Sequence, residues 1–147
     1  MNIKRYIILA DDDPDDRLLF EEAIKEVDYN TKLISSIDGA HLMSTLIATV
    51  PPKPDIIFLD INMPKKNGFE CLEQIRLSPK LKDIPVIMYS TTAQLDAVNK
   101  AYKAGANFYV QKPDTFCNLK TVIEKVLSIN FTLGSKTTSR DSFLITI

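Results

Sequence analysis

Short apolar runs alternate with longer segments of helical period along most of the chain, and this alternation restricts the fold more than any other feature. "YIILA" (6–10), "TKLISSI" (31–37), "DIIFLD" (55–60), "PVIMYS" (85–90) and "NFYVQ" (107–111) have strand length and strand composition. Between them apolar side chains recur near every 3.6 residues: Leu18, Leu19, Ala23, Ile24 and Val27 in 15–28, then Leu42, Leu46 and Ile47 in 39–49. Phe69, Leu72, Ile75 and Arg76 follow in 67–77, Ala93, Ala97, Ala101 and Ala104 in 93–104, and a longer apolar set in 115–129. Strand and helix in strict turn predict an α/β fold with a parallel sheet. "DIIFLD" and "PVIMYS" are almost unbroken hydrophobes, as central strands covered on both faces must be. Right-handed crossovers then put helices on both sides.

The composition excludes several classes. At 147 residues, 45% apolar and 25% charged, the chain can bury one real core. A formal net charge of -1 offers no field for nucleic acid or an anionic membrane, and no apolar run is long enough to span a bilayer. The start "MNIKRYIILADDD" lacks a cleavage site, so the cytoplasm is the expected location. Cys71 and Cys117 match neither a metal spacing nor a disulfide framework, and His41 reads as a surface or boundary residue.

In a doubly wound sheet, ligands bind beyond the carboxyl ends of the strands, at a topological switch point. The first run ends in Asp11 and Asp12, the third in Asp60, the fourth in Ser90, and the fifth approaches Lys112. Clustered carboxylates are costly unless a cation neutralises them or protons stay bound. Hard oxygen ligands with open positions suit Mg²⁺, which shares its shell with waters and phosphate oxygens. A nearby lysine suits a transferred phosphoryl group.

The sets "IILADD", "IIFLDINMPKKNG", "PVIMYSTTA" and "GANFYVQKP", in this order over residues 3–129, resemble a response-regulator receiver domain. The resemblance implies a five-stranded doubly wound sheet of flavodoxin-like order 2-1-3-4-5. It also implies that Asp60 accepts a phosphoryl group from a sensor histidine kinase or a histidine phosphotransfer protein. Asp11, Asp12, Asp60 and the backbone carbonyl of Asn62 would hold Mg²⁺. Ser90 and Lys112 would bind the phosphoryl oxygens, Ser90 and Tyr109 would form the switch, and Asn62 and Thr92 would influence the lifetime of the acyl phosphate. A cis Lys112–Pro113 bond is expected on the same ground, and X–Pro chemistry permits it. No enzyme activity is expected beyond self-catalysed phosphotransfer and autodephosphorylation.

"DDDPDD" (11–16) divides by position. Pro14 suits a first helical position, so Asp13 is the expected N-cap, with Asp15 and Asp16 set against the helix dipole. Asp11 and Asp12 remain for the cation. Plainer roles exist for each residue: Asp60 as a turn cap, Lys112 as a surface lysine, Tyr109 as packing. Three rival classes each lack a required residue. A calcium loop needs Gly where Asp16 stands; a haloacid-type phosphatase wants Asp where Asn62 stands; no phosphate-binding glycine motif is present.

Residues 1–129 are expected to form the receiver, and 130–147 a tail without a separate output domain. The stretches 75–93 and 101–113 resemble small single-domain regulators of the chemotaxis and phytochrome-associated kind. Output is expected by protein contact through the face around 93–127, with no nucleic-acid or membrane partner; the alternative is an interaction module whose phosphorylation is vestigial. The tail has a linker-like stretch, "GSKTTSRD", then a β-prone run, "SFLITI". It could dock on its own domain, pair with a second copy as a homodimer, cover a partner site, or stay disordered.

Overall fold

The computed structural model describes residues 5–129, 131 and 139–146. Six strands and six helices follow in chain order: β1 (Tyr6–Ala10), α1 (Pro14–Val27), β2 (Lys32–Ser36), α2 (Gly39–Thr49), β3 (Ile56–Leu59), α3 (Gly68–Leu77), β4 (Val86–Ser90), α4 (Leu95–Ala104), β5 (Phe108–Gln111), α5 (Phe116–Leu127), α6 (Arg140–Phe143) and β6 (Leu144–Ile145). All strand pairs are parallel, in the order β2-β1-β3-β4-β5-β6. The expected five strands and their order are present. The sixth, β6, comes from the "SFLITI" run and adds to the β5 edge. The chain reverses its direction of winding at β1, so the crevice between the C-terminal ends of β1 and β3 is the switch point.

The pleat of β1 divides the core in two. Ile8 and Ala10 belong to an apolar cluster with Leu42, Leu46, Leu72, Ile75, Val98 and Ala101, under α2, α3 and α4. Ile7 and Leu9 belong to the opposite cluster with Phe20, Ala23, Ile24, Leu119, Val122 and Ile123, under α1 and α5. The strand period of two thus feeds both layers at once. Among the described residues no helix is long and apolar enough to cross a membrane.

Two helix faces differ from the sequence reading. In α1 the buried residues are Phe20, Ala23 and Ile24, whereas Leu18 and Leu19 are 55% and 44% exposed. The ring of Phe20 fills the space against Phe58 and Tyr89, at centroid distances of 4.9 and 5.6 Å, and this aromatic contact sets the helix rotation. In α2 Met43 takes the inward place expected of Ile47, which is exposed. Arg76, grouped with an apolar stripe by spacing, is a hydrogen-bonding hub instead. Its guanidinium donates to the carbonyls of Gly105, Lys82 and Ile84 and to Asn107 Oδ1, at 2.8–2.9 Å. Asn107 Oδ1 also accepts from the Val86 N–H at 2.9 Å.

Candidate functional site

The site begins with the start of α1. Asp13 is its N-cap, accepting from the Asp15 and Asp16 N–H groups at 2.8 and 3.3 Å, and Pro14 is the first helical residue. Capping by Asp13 leaves Asp11 and Asp12 at the end of β1. Asp11 is fully buried, Asp60 nearly so and Asp12 exposed. One carboxylate oxygen from each of these three lies within 4.8 Å of the other two. The carboxylates are fixed from behind: Asp11 Oδ1 accepts from the Asp13 N–H at 3.0 Å, and Asp60 Oδ1 from the Ile61 N–H at 2.8 Å.

Lys112 reaches in from the end of β5, its side chain only 9% exposed. Its Nζ stands 2.8 Å from Asp11 Oδ2, 2.8 Å from Asp16 Oδ2 and 3.6 Å from Asp60 Oδ2. Asp16 therefore has a second role that its helix-dipole assignment missed. It is the third residue of α1; its place in the first turn was legible, the approach of Lys112 to it was not. Lys112 Nζ also lies 5.2 Å from the centre of the Tyr89 ring.

Burial pushes the Asp60 carboxyl up to about 7; the charge of Lys112 works against this and that of Asp11 with it. Asp11 is also raised by burial, against its hydrogen bond to Lys112. Burial pulls the Lys112 ammonium down, but its hydrogen bonds to Asp11 and Asp16 and the charges of Asp11 and Asp60 outweigh this, leaving it raised. Fully ionised, Asp11, Asp12 and Asp60 would carry more negative charge than one lysine offsets. Three hard carboxylate oxygens this close fit a divalent cation such as Mg²⁺. Asn62 is exposed two residues beyond Asp60, and its carbonyl accepts no hydrogen bond among the described residues.

Ser90 is buried at the end of β4, with its Oγ accepting from the Thr92 N–H at 3.3 Å. The Thr92 hydroxyl oxygen accepts from the Gln94 N–H at 3.2 Å, tying it to the turn before α4. Tyr109 is fully buried and its hydroxyl donates to the Thr92 carbonyl at 2.7 Å. Lys112–Pro113 is trans, contrary to expectation; the cis bonds among the described residues are Val50–Pro51 and Pro51–Pro52. Trans is the ordinary X–Pro state, and Lys112 meets its carboxylates from it.

Gly68 matters for space rather than for a turn. A Cβ there would stand 2.2 Å from the Asp60 carbonyl oxygen and 2.8 Å from Ile61 Cα, while the left-handed residue of this loop is Lys65 at φ 68°. Gly68→Ala is expected to cost about 1–3 kcal/mol or more, since the obstacle is backbone. Urea unfolding at fixed pH checks this, and an unchanged midpoint would mean the loop can move aside.

A parallel sheet with a carboxylate trio and a buried lysine at its strand ends defines a doubly wound α/β protein with an acidic site at its switch point. The chain belongs to the response regulator receiver domain family, whose model matches residues 7–124. It is 34% identical over 132 residues to response regulator Rcp1 of Synechocystis sp., covering 87% of this chain and 88% of that protein. The structure of the Mn²⁺-bound form of Rcp1 matches with a TM-score of 0.76 at 30% identity, over 91% of this chain and 99% of that one. The phosphorylated cyanobacterial phytochrome response regulator RcpA matches with a TM-score of 0.79 at 29% identity, over 92% and 98%.

Proposed function

We propose that the protein is a phosphoacceptor whose reactive group is the Asp60 carboxylate, and that it signals by phosphorylation-dependent protein contact. What carries this reading is the placing of Asp60: nearly buried, 3.6 Å from Lys112 Nζ and clustered with Asp11 and Asp12, in a receiver-family chain. Support also comes from the relatives, one solved with Mn²⁺ and one phosphorylated.

An Asp60 oxygen attacks the phosphorus of a phosphohistidine on a sensor kinase or phosphotransfer protein. The new P–O bond forms as the P–N bond breaks, and the imidazole departs with the electron pair. Attack needs the ionised carboxylate, and the charge of Lys112 favours that form. Asp11, Asp12, Asp60 and the Asn62 carbonyl would hold Mg²⁺. When bound, the ion supplies the positive charge that offsets carboxylates and phosphoryl oxygens. Lys112 and Ser90 take the remaining phosphoryl oxygens. Water later attacks in line, with the Asp60 oxygen leaving, and Asn62 and Thr92 stand where they influence that approach. Residues 1–129 are the receiver unit, its output face lies around 93–127, and it works in the cytoplasm.

Intact-protein mass after incubation with acetyl phosphate and Mg²⁺ tests the reading. One added phosphoryl group on the wild type and none on Asp60→Asn is the expected result. Equal uptake by the variant would move the acceptor elsewhere. No uptake by either would make the chain a constitutive interaction module.

A further inference from the structure

The face expected to carry output is already occupied. Phe143, at the end of α6, is fully buried between α4 and β5. Its ring meets Tyr102 edge-on at 5.1 Å and tilts over Tyr109 at 6.4 Å. From there β6 runs parallel to β5, Leu144 opposite Tyr109 and Ile145 opposite Val110. Two polar contacts hold the segment: Arg140 Nε donates to Asn99 Oδ1 on α4 at 2.8 Å, and Lys125 Nζ donates to the Thr146 carbonyl at 3.0 Å. Thr146 then lines a cleft of about 260 Å³ whose other walls include Gln111, Lys112 and Pro113. A two-residue strand does not hold a sheet edge by itself; the buried aromatic anchor does.

Tyr109 links this segment to the site. One end of the ring lies under Phe143, and the hydroxyl at the other end holds the Thr92 carbonyl, two residues beyond Ser90. With Phe143 seated, the Tyr109 ring is fully buried. Undocking would free the ring, and with it the 90–92 loop.

We propose that residues 139–146 are an intramolecular latch on the α4–β5 face, and that Tyr109 couples its docking to the chemistry at Asp60. The proposal rests on the phosphoacceptor reading and deepens it. Drawing the Ser90 hydroxyl to a phosphoryl oxygen fixes the 90–92 loop, the loop fixes Tyr109 inward, and an inward Tyr109 is the floor on which Phe143 sits. Coupling of this kind is reciprocal, so whatever factor phosphorylation adds to docking, docking adds to phosphoryl binding. The output face is thereby a surface for an extended segment with an aromatic anchor, added as a parallel strand. In the free protein its occupant is the segment 139–146.

Amide exchange over residues 140–146 tests the latch on the whole chain, with and without beryllofluoride plus Mg²⁺. Slowing by about fivefold or more is expected, the lower end of ordinary coupling. Tyr109→Phe, which keeps the ring and loses the Thr92 bond, should abolish most of that slowing while the segment still docks. Phe143→Ala should weaken beryllofluoride binding by the same factor. Exchange in the wild type that is unchanged or faster with beryllofluoride overturns the coupling. Protection that grows with protein concentration overturns the intramolecular latch, because the segment then comes from a second copy. A chain that takes up phosphoryl groups but shows no slowing refutes the coupling alone; a chain that takes up none refutes the phosphoacceptor reading and the coupling with it.

Discussion

Without divalent metal, the protein is expected to lose stability as pH rises from about 4 to about 7. Burial holds the Asp60 carboxyl at about 7 in the folded chain, against an ordinary value of 3.8. Between those values the folded state keeps a proton that the unfolded state has released. Raising the pH strips that proton at the expense of the folded state. The contribution is therefore whole below about pH 4, declines through about pH 7 and then levels off. A rise from 3.8 to about 7, at about 1.4 kcal/mol per pH unit, sets a ceiling of about 4 kcal/mol. Asp11, raised in the same sense, deepens the decline. Mg²⁺ held by the ionised carboxylates, as proposed, should lift the upper end of the profile and leave the acid end alone. Urea midpoints across this range, in chelator and in Mg²⁺, give the answer. Asp60→Asn keeps an acceptor for the Ile61 N–H and should flatten most of the decline. A metal-free profile as flat in the wild type as in the variant would remove the raised carboxyl from the account.

Lys112→Ala should act in the opposite direction to Asp60→Asn. The ammonium sits 2.8 Å from Asp11, 2.8 Å from Asp16 and 3.6 Å from Asp60, with its side chain 9% exposed. Removing one member of a buried ion pair costs about 3–5 kcal/mol, because the charges left behind have no partner. Without metal at neutral pH the variant should lose about that much, and Mg²⁺ should restore more of it than it adds to the wild type. Uptake from acetyl phosphate should stay low even in Mg²⁺. Loss of a charged donor at a reacting oxygen typically costs about 10²-fold or more. A variant as stable as the wild type in chelator would show that the carboxylates share protons rather than rely on the lysine.

The contrast between these two variants shows what the sequence made legible. Strand ends are readable because a parallel strand covered on both faces is an unbroken apolar run, and the residue that breaks it marks the edge. Asp11, Asp60 and Ser90 were found this way, Lys112 by its place just past the fifth run, and all four stand on one edge of the sheet. The division of "DDDPDD" was readable because Pro14 has few places to go. Asp16 was not: spacing along α1 fixes which turn it occupies, but not that Lys112 crosses from β5 to meet it. The α1 face was misread for a related reason. Leu18, Leu19 and Phe20 all fit a helical period within one residue, and only the fit of the Phe20 ring against Phe58 and Tyr89 chooses among them. β6 was not foreseen as a strand: "SFLITI" was read as β-prone with docking, pairing and disorder all open, since a two-residue strand has no period, and its anchor Phe143 finds Tyr102 and Tyr109 only once α4 and β5 are in place.

The Arg76 hub has a mechanical consequence. One planar guanidinium joins α3 to three backbone carbonyls, two of them in the approach to β4 and the third just past α4, while Asn107 continues the link into the first residue of β4. The bonds act at fixed angles, so the α3–β4 and α4–β5 connections are tied to each other. A torque delivered at the end of α4 is passed to α3 rather than absorbed in the loop. Lengthening either connection by a residue would break this hinge-pin before it disturbed any apolar contact. The end of the sheet away from the acids is thus cross-braced through one side chain.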